Sequence, residues 1–123
     1  MTKLTMTLSS AIFFTRDLDR VATFYRDEIG FEVEYVQQNR FASFMFPNGV
    51  RLGIKVPTEA REVPGHQTIF IDVPDPAGLE EAFKEKGITI SHPLRDQDWA
   101  THFSILDPDG NKVLFCRRKP RSL

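Results

Sequence analysis

Apolar residues along this chain follow two rhythms, one of period two and one of period 3.6, and the order in which these rhythms alternate occurs twice. "LSSAIFFT" (8–15) reads as a strand, and "DLDRVATFYRDEIG" then reads as a helix. Asp17 is its N-cap, Leu18, Val21, Ala22, Tyr25 and Ile29 form the apolar stripe, and Gly30 is the stop. Three further strands are predicted at "FEVEYVQ" (31–37), "RFASFMF" (40–46) and "VRLGIKV" (50–56). A polar stretch with two prolines, 57–65, reads as a linker. After it comes a strand at "HQTIFIDV" (66–73), then a helix with Asp75 as N-cap, Pro76 in the first turn, Leu79, Ala82 and Phe83 facing inward and Gly87 as stop. Strands at "ITISH" (88–92), "THFSIL" (101–106) and "KVLFCR" (112–117) complete the second set.

The spacing of landmarks supports a duplication without reference to any strand. Asp17 and Asp75 are 58 positions apart, Gly30 and Gly87 are 57 apart, and the turns "FPNG" (46–49) and "DPDG" (107–110) are 61 apart. Each turn has the Pro-x-Gly skeleton, and Asp107-Pro108-Asp109-Gly110 suits a type I turn, with Asp first, Pro second and Gly last. The expected fold is therefore α+β, two βαβββ modules forming a curved mixed sheet around a ligand cleft. A single such unit has one sheet face covered by its helix and the other bare, and the bare faces would line that cleft.

Composition narrows the class. The chain has 123 residues, 41% hydrophobic and 27% charged, with 11 Phe to build a core, which predicts one domain over 1–123: module one at about 8–56, a linker at 57–65 and module two at about 66–117. Lys plus Arg (16) nearly balances Asp plus Glu (17), so no nucleic-acid partner is expected, and the basic tail Arg117 to Arg121 is expected to be a solvated terminus. A single cysteine, Cys116, excludes an intrachain disulfide and a CxxC metal site. The start "MTKLTMTLSSAIFF" lacks the pattern of a signal peptide, and no run reaches the roughly 18 apolar residues of a membrane span. The expectation is a cytoplasmic protein with no membrane partner.

The runs "RDLDRVATFYRDEIGFEV" (16–33), "IDVPDPAGLEEAFKEKGI" (71–88) and above all "DPDGNKVLF" (107–115) resemble the vicinal oxygen chelate superfamily, which includes glyoxalase I, extradiol dioxygenases, and fosfomycin- and bleomycin-resistance proteins. The resemblance spans about Leu8 to Arg117 and speaks to fold more than to function, because this scaffold hosts many chemistries. It also implies a two-fold homodimer. Metal-using members carry ligands at positions that fall here on Ser10, Gly53, Thr68 and Leu114. None of these offers the imidazole, carboxylate or thiolate that a divalent ion needs, so no metal and no other cofactor is expected. A one-residue slip of register brings in only apolar neighbours such as Ala11, Ile69, Ile54 and Phe115. His66, two positions before Thr68, is the one candidate for a displaced ligand.

Strand alternation lists what the cleft would hold: Ser10, Ile12 and Phe14; His66, Thr68, Phe70 and Asp72; His102 and Ser104; and, by the 61-residue offset, Phe41 and Ser43. Arg51, Gly53 and Lys55 match Lys112, Leu114 and Cys116 on the corresponding strand. His102 is either an acid/base group or a rim histidine satisfied by its neighbours. Asp72 either faces ligand or caps a loop, and Arg51 and Lys55 either rim the cleft or sit solvated at strand ends. Trp99 is an aromatic lid or a loop anchor. Cys116 reads as a buried small hydrophobe, and His92 as exposed on an edge strand. No complete catalytic constellation is visible, and His102 is the sole catalytic candidate. The expected function is metal-free binding and sequestration of a small aromatic or amphipathic molecule, with an anionic one favoured if Arg51, Lys55 and Lys112 face inward. The alternative is an enzyme of the same superfamily, of lyase, dioxygenase or isomerase type, using a displaced metal or a metal-independent histidine.

Overall fold

Asp17 and Asp75 cap their helices as expected, each accepting a backbone N–H three residues on, from Arg20 (3.2 Å) and Gly78 (3.1 Å). The computed structural model describes residues 4–120. Contacts divide the chain into two compact units, one through Val63 and one from Pro64. Each unit is a βαβββ module with its own four-stranded mixed sheet.

The first module runs β1 (Ser10–Phe14), α1 (Leu18–Thr23) extended by a π-helical segment (Phe24–Ile29), β2 (Val33–Gln37), β3 (Phe41–Met45) and β4 (Arg51–Lys55), in sheet order β1-β4-β3-β2. β1 is parallel to β4, and the other pairs are antiparallel. The second module repeats this with β5 (Thr68–Asp72), α2 (Pro76–Glu85), β6 (His92–Asp96), β7 (Ala100–Leu106) and β8 (Lys112–Arg118), in order β5-β8-β7-β6. The registers carry the sequence offsets into space. Ser10 faces Arg51 across the parallel pair, as Thr68 faces Lys112, and Phe41 faces Lys55 as His102 faces Cys116. Both Pro-x-Gly turns close with an N–H from glycine to the first residue, Gly49 to Phe46 (2.9 Å) and Gly110 to Asp107 (3.0 Å), with both glycines at positive φ.

Each helix covers one face of its own sheet. In the first module Tyr25, fully buried, is ringed by Phe13, Phe24, Phe31 and Phe44. In the second, Phe83 meets Phe103 and Phe115 edge-on, with Ile105 and Val113 also buried. This assigns Ala11/Phe13-type positions to the core and leaves the alternate positions on the open face.

Three local expectations are corrected. The helix from Asp17 does not stay α-helical to Gly30: from Phe24 it widens, and the N–H groups of Gly30 and Phe31 both reach the Tyr25 carbonyl (3.0 and 2.8 Å). The wider turn accompanies the stacking of Phe31 on Tyr25 (5.5 Å, 9°), a long-range preference that helical periodicity does not encode. The strand expected at 88–92 lies instead at His92–Asp96, because Ile88 closes α2: its N–H bonds Phe83 O (2.9 Å) and the Gly87 N–H bonds Lys84 O (3.0 Å), the paired bonds of a Schellman motif. Pro93 is tolerated because β6 is an edge strand with a register shift between His92 and Arg95, and the buried Glu80 of α2 takes the Leu94 N–H (2.8 Å). That buried position belongs to Glu80, while Ala82, expected inward, is exposed.

Candidate functional site

The open face of the first sheet carries Ser10, Ile12 and Phe14 on β1, Arg51, Gly53 and Lys55 on β4, and Phe41 and Ser43 on β3, since directly paired residues share a face. All eight first-module cleft residues expected from sequence are therefore on one surface. Part of it is a concavity of about 340 Å³ lined by Ser9, Ser10, Glu34, Tyr35, Phe41, Ser43, Arg51 and Gly53. Its wall is the stacked pair Tyr35 and Phe41, with ring centroids 6.1 Å apart and planes at 24°. Its floor is Gly53, where a Cβ would strike the Phe41 ring and the Ile12 Cδ1. Glycine at this position is what lets the Phe41 ring lie down on the sheet.

Glu34 and Tyr35 were missed. Adjacent strand residues point to opposite faces, yet both line this concavity, because β2 shifts register against β3 between Val33 and Tyr35. The bulge turns the Glu34 carboxylate to Arg51, whose Nε donates to both its oxygens (2.9 and 2.9 Å), and to the buried Ser43, whose hydroxyl donates to Oε1 (2.8 Å). These bonds hold the Glu34 carboxyl below the usual carboxylate range, Ser43 contributing most and Arg51 next, against the opposing effect of burial. Lys55 is likewise paired: its Nζ donates to the buried Glu62 (2.6 and 2.7 Å) and to Thr58 (3.0 Å). The expected cationic rim is thus neutralised at Arg51 and Lys55, and an anion preference has no support from either. The sequence shows an acid within β2 at 34 and one after β4 at 62, but only the bulge and the chain path after β4 pair them with Arg51 and Lys55.

On the open face of the second sheet lie Thr68, Phe70 and Asp72 of β5, Leu114 and Cys116 of β8, and His102 and Ser104 of β7. His66 is not among them. It precedes β5 in the left-handed region (φ 64°), so strand alternation does not carry its side chain onto the Thr68 face, and its role as a displaced ligand loses its geometric basis. Ser104 is on the face but not free: its hydroxyl is fully buried against His92 Nδ1 (2.9 Å) and the Ser91 hydroxyl (3.2 Å). His92 is exposed at an edge, as expected, but it is engaged.

Phe70, Trp99 and His102 form a continuous stack. Phe70 and Trp99 are 5.7 Å apart at 23°, and Trp99 and His102 are 5.0 Å apart at 27°. Phe70 is 49% and Trp99 39% exposed, whereas His102 is buried. The Arg118 guanidinium sits 5.9 Å from both the Phe70 and Trp99 ring centroids. Arg117 and Arg118 belong to β8 and Lys119 pairs with Asp96 (2.5 Å), so this part of the basic tail is structured rather than a free terminus, and Arg121 lies outside the described residues. Burial, then the charges of Arg95, Lys112 and His92, push the His102 imidazole below its ordinary value, so it is neutral at pH 7.

Asp72, Cys116 and His102 lie in one row across β5, β8 and β7, an order that a cysteine nucleophile with a histidine base could use. The chemistry points the other way. The buried thiol donates to Asp72 (3.6 Å) and not to His102, and burial followed by the Asp72 charge raises its pKa, so it stays a thiol. Ser10, Gly53, Thr68 and Leu114 all lie on open faces and none is a metal donor; among the described residues no group of three or more His, Cys, Asp or Glu side chains converges. The residues present do not fit the metal of the metal-using relatives. No helix among the described residues is long and apolar enough to cross a membrane.

The model of the Glyoxalase/Bleomycin resistance protein/Dioxygenase superfamily matches residues 7–115. Among solved structures, a lactoylglutathione lyase from Agrobacterium tumefaciens aligns with a TM-score of 0.80 at 20% identity, over 94% of this chain and 96% of that one. An antibiotic-binding protein from a Streptomyces species aligns at 0.81 and 16% identity, over 96% and 100%. The bleomycin-binding protein of Streptomyces verticillus, solved with copper(II)-bleomycin, aligns at 0.77 and 22% identity, over 95% and 100%. At these identities the likeness is one of fold. Among curated proteins none matches the sequence significantly.

Proposed function

Since the chain belongs to the Glyoxalase/Bleomycin resistance protein/Dioxygenase superfamily, we propose that it is a small-molecule binding protein that sequesters a largely apolar, aromatic ligand without a metal. The observation that carries this reading is the half-exposed shelf of Phe70 and Trp99, stacked on each other and backed by His102 and Arg118. Two large rings left facing solvent on a sheet with a well-packed opposite face are the kind of surface a planar ligand covers. The bleomycin- and antibiotic-binding neighbours make such a ligand reasonable for this fold. The metal-free part of the reading rests on donor chemistry, since the four positions that would hold an ion carry two hydroxyls, a glycine and a leucine. The proposal includes a cytoplasmic location and a homodimer, the latter to be tested by sedimentation at micromolar concentration.

Trp99 is the sole tryptophan, so its emission reports directly on the shelf. Titration with metal-free bleomycin and with a set of planar aromatic compounds should give saturable quenching for at least one of them. Calorimetry should show that ligand bound more weakly by Phe70→Ala. Absence of saturable binding across the set, by both methods, would overturn the reading.

A further inference from the structure

We propose that the concavity of the first module recognises a neutral carbonyl-bearing edge of a planar aromatic ligand, such as a carboxamide, lactam or quinone, read by Arg51 and Glu34 together. This rests on the small-molecule binding reading above and adds the ligand's chemistry.

Three features of the concavity lead to this. The first is charge: Arg51 and Glu34 are held together by two 2.9 Å bonds, so the pair presents no net charge to a ligand. A carboxylate placed there would gain Arg51 but sit against Glu34, and an ammonium would meet the reverse. The second is the donor arithmetic. Both bonds from Arg51 leave through Nε, and among the described residues its two terminal Nη groups donate to nothing, so a side chain fixed at Nε offers a planar fork of N–H donors. Glu34 Oε2 accepts only from Nε and keeps lone-pair capacity for a ligand N–H or O–H. A neutral group with a carbonyl acceptor beside a donor satisfies both without adding charge.

The third is shape. The Phe41 ring lies over Gly53, which carries no side chain to lift it, and stacks with Tyr35, so the two rings give a flat wall beside the polar pair against which a planar ring system can lie. The buried Ser43 donates to Glu34 Oε1 as well, so the carboxylate is held by a second partner, which makes the pair a built feature rather than a mobile surface contact.

The test uses 2-naphthamide, 2-naphthoate and 2-naphthylmethylammonium as probes of the same ring with neutral, anionic and cationic groups. Binding is read from the amide and ring signals of Tyr35, Phe41 and Gly53, with the Trp99 indole as a separate reporter. Wild type should bind the amide about fivefold or more tighter than either ion. Glu34→Gln, nearly isosteric, leaves the Arg51 charge uncompensated and should reverse the order so that naphthoate binds tightest. Equal or tighter binding of naphthoate by wild type, or a preference unmoved in Glu34→Gln, overturns the inference. Probes that shift only Trp99 and Phe70 overturn it while leaving the small-molecule reading standing, and probes that shift neither set overturn both.

Discussion

The indole of Trp99 and the imidazole of His102 stack at 5.0 Å and share one hydrogen-bond acceptor, the side-chain oxygen of Gln97. An indole N–H can only donate, so it orients the Gln97 amide with its oxygen inward (3.3 Å). That oxygen then receives Nε2 of His102 (2.5 Å), which must carry the proton. The ring is thereby fixed as the Nε2–H tautomer with Nδ1 unprotonated.

This tautomer is the first prediction. Nitrogen chemical shifts of His102 at pH 7 should show a neutral ring protonated at Nε2, titrating below its ordinary value of 6.5. A base whose folded pKa is lowered binds more protons when unfolded, so its contribution to stability is full above the unfolded value and declines as pH falls below it. Gln97→Glu places an anion at Nε2 and should raise the proton affinity of His102 about tenfold or more. An Nδ1–H ring, or a pKa unmoved by Gln97→Glu, would show that Gln97 does not set the proton's place.

A second prediction concerns Gly53. A Cβ there meets the Phe41 ring and Ile12 Cδ1, both held in the sheet, so Gly53→Ala should cost about 1–3 kcal/mol by overpacking. The Phe41 ring should also leave its stack on Tyr35, seen as loss of contacts between the two rings in nuclear Overhauser spectra. A variant as stable as wild type with the stack intact would mean the strand gives way without disturbing the concavity.

What the sequence reveals and conceals follows from the range of each interaction. The caps at Asp17 and Asp75, both Pro-x-Gly turns and the alternation of Phe70 with Ile69 and Ile71 depend on neighbours within a few residues, and all are legible. The 58- and 61-residue offsets also translate directly into strand register, because a duplicated unit repeats its pairing. The Arg51–Glu34 pair was not legible, since the bulge that turns Glu34 onto the face of Tyr35 has no Gly or Pro to announce it. Nor was Lys55–Glu62, because the direction of the chain after β4 is set by packing, and a reading that stops at the linker's polarity cannot tell a buried glutamate from a solvated one. His66 failed for a different reason: alternation was extended past the strand's true start, across a left-handed turn.

The two Pro-x-Gly turns should differ in what their polar side chains contribute. In the second, the buried Asp107 accepts the N–H groups of Asp109 and Asn111 (2.9 Å each) and the Asn111 side chain (3.0 Å), and Asn111 in turn accepts the Gln67 N–H (3.1 Å). In the first, the equivalent residue is Phe46, and only Asn48 contributes, to the Val50 N–H (3.2 Å). Asp107→Ala strands buried donors and should cost about 1–3 kcal/mol, whereas the exposed Asn48→Ala should cost about 1 kcal/mol or less. Denaturant midpoints measure both, and equal losses would show that turn geometry, not the Asp107 network, holds the hairpin.

Glu62 should make the stability of the first module depend on acid pH. Its carboxylate is buried on the segment after β4, accepting Lys55 Nζ and both the backbone N–H (2.8 Å) and the hydroxyl (3.1 Å) of Thr58. The Lys55 bond, then the Thr58 N–H, bring its pKa down from 4.5 to about 2, outweighing burial. A carboxylate with a lowered folded pKa stabilises above the unfolded value, and that stabilisation is lost as pH falls from about 4.5 through about 2. Glu62→Gln keeps the shape, removes the charge and strands Lys55 beside an amide, so the variant should be less stable than wild type at neutral pH. The gap in denaturant midpoint should hold steady down to about pH 5 and then narrow towards about pH 2, as wild type protonates and comes to resemble the variant. Lys55→Met supplies the second arm: without its ammonium the carboxyl keeps only Thr58 as donor and its pKa is depressed less, so the acid loss, which still begins near the unfolded value, should be smaller and complete at a higher pH. A gap between wild type and Glu62→Gln that is the same at every pH would mean that the buried charge contributes nothing and that the segment is held by packing alone.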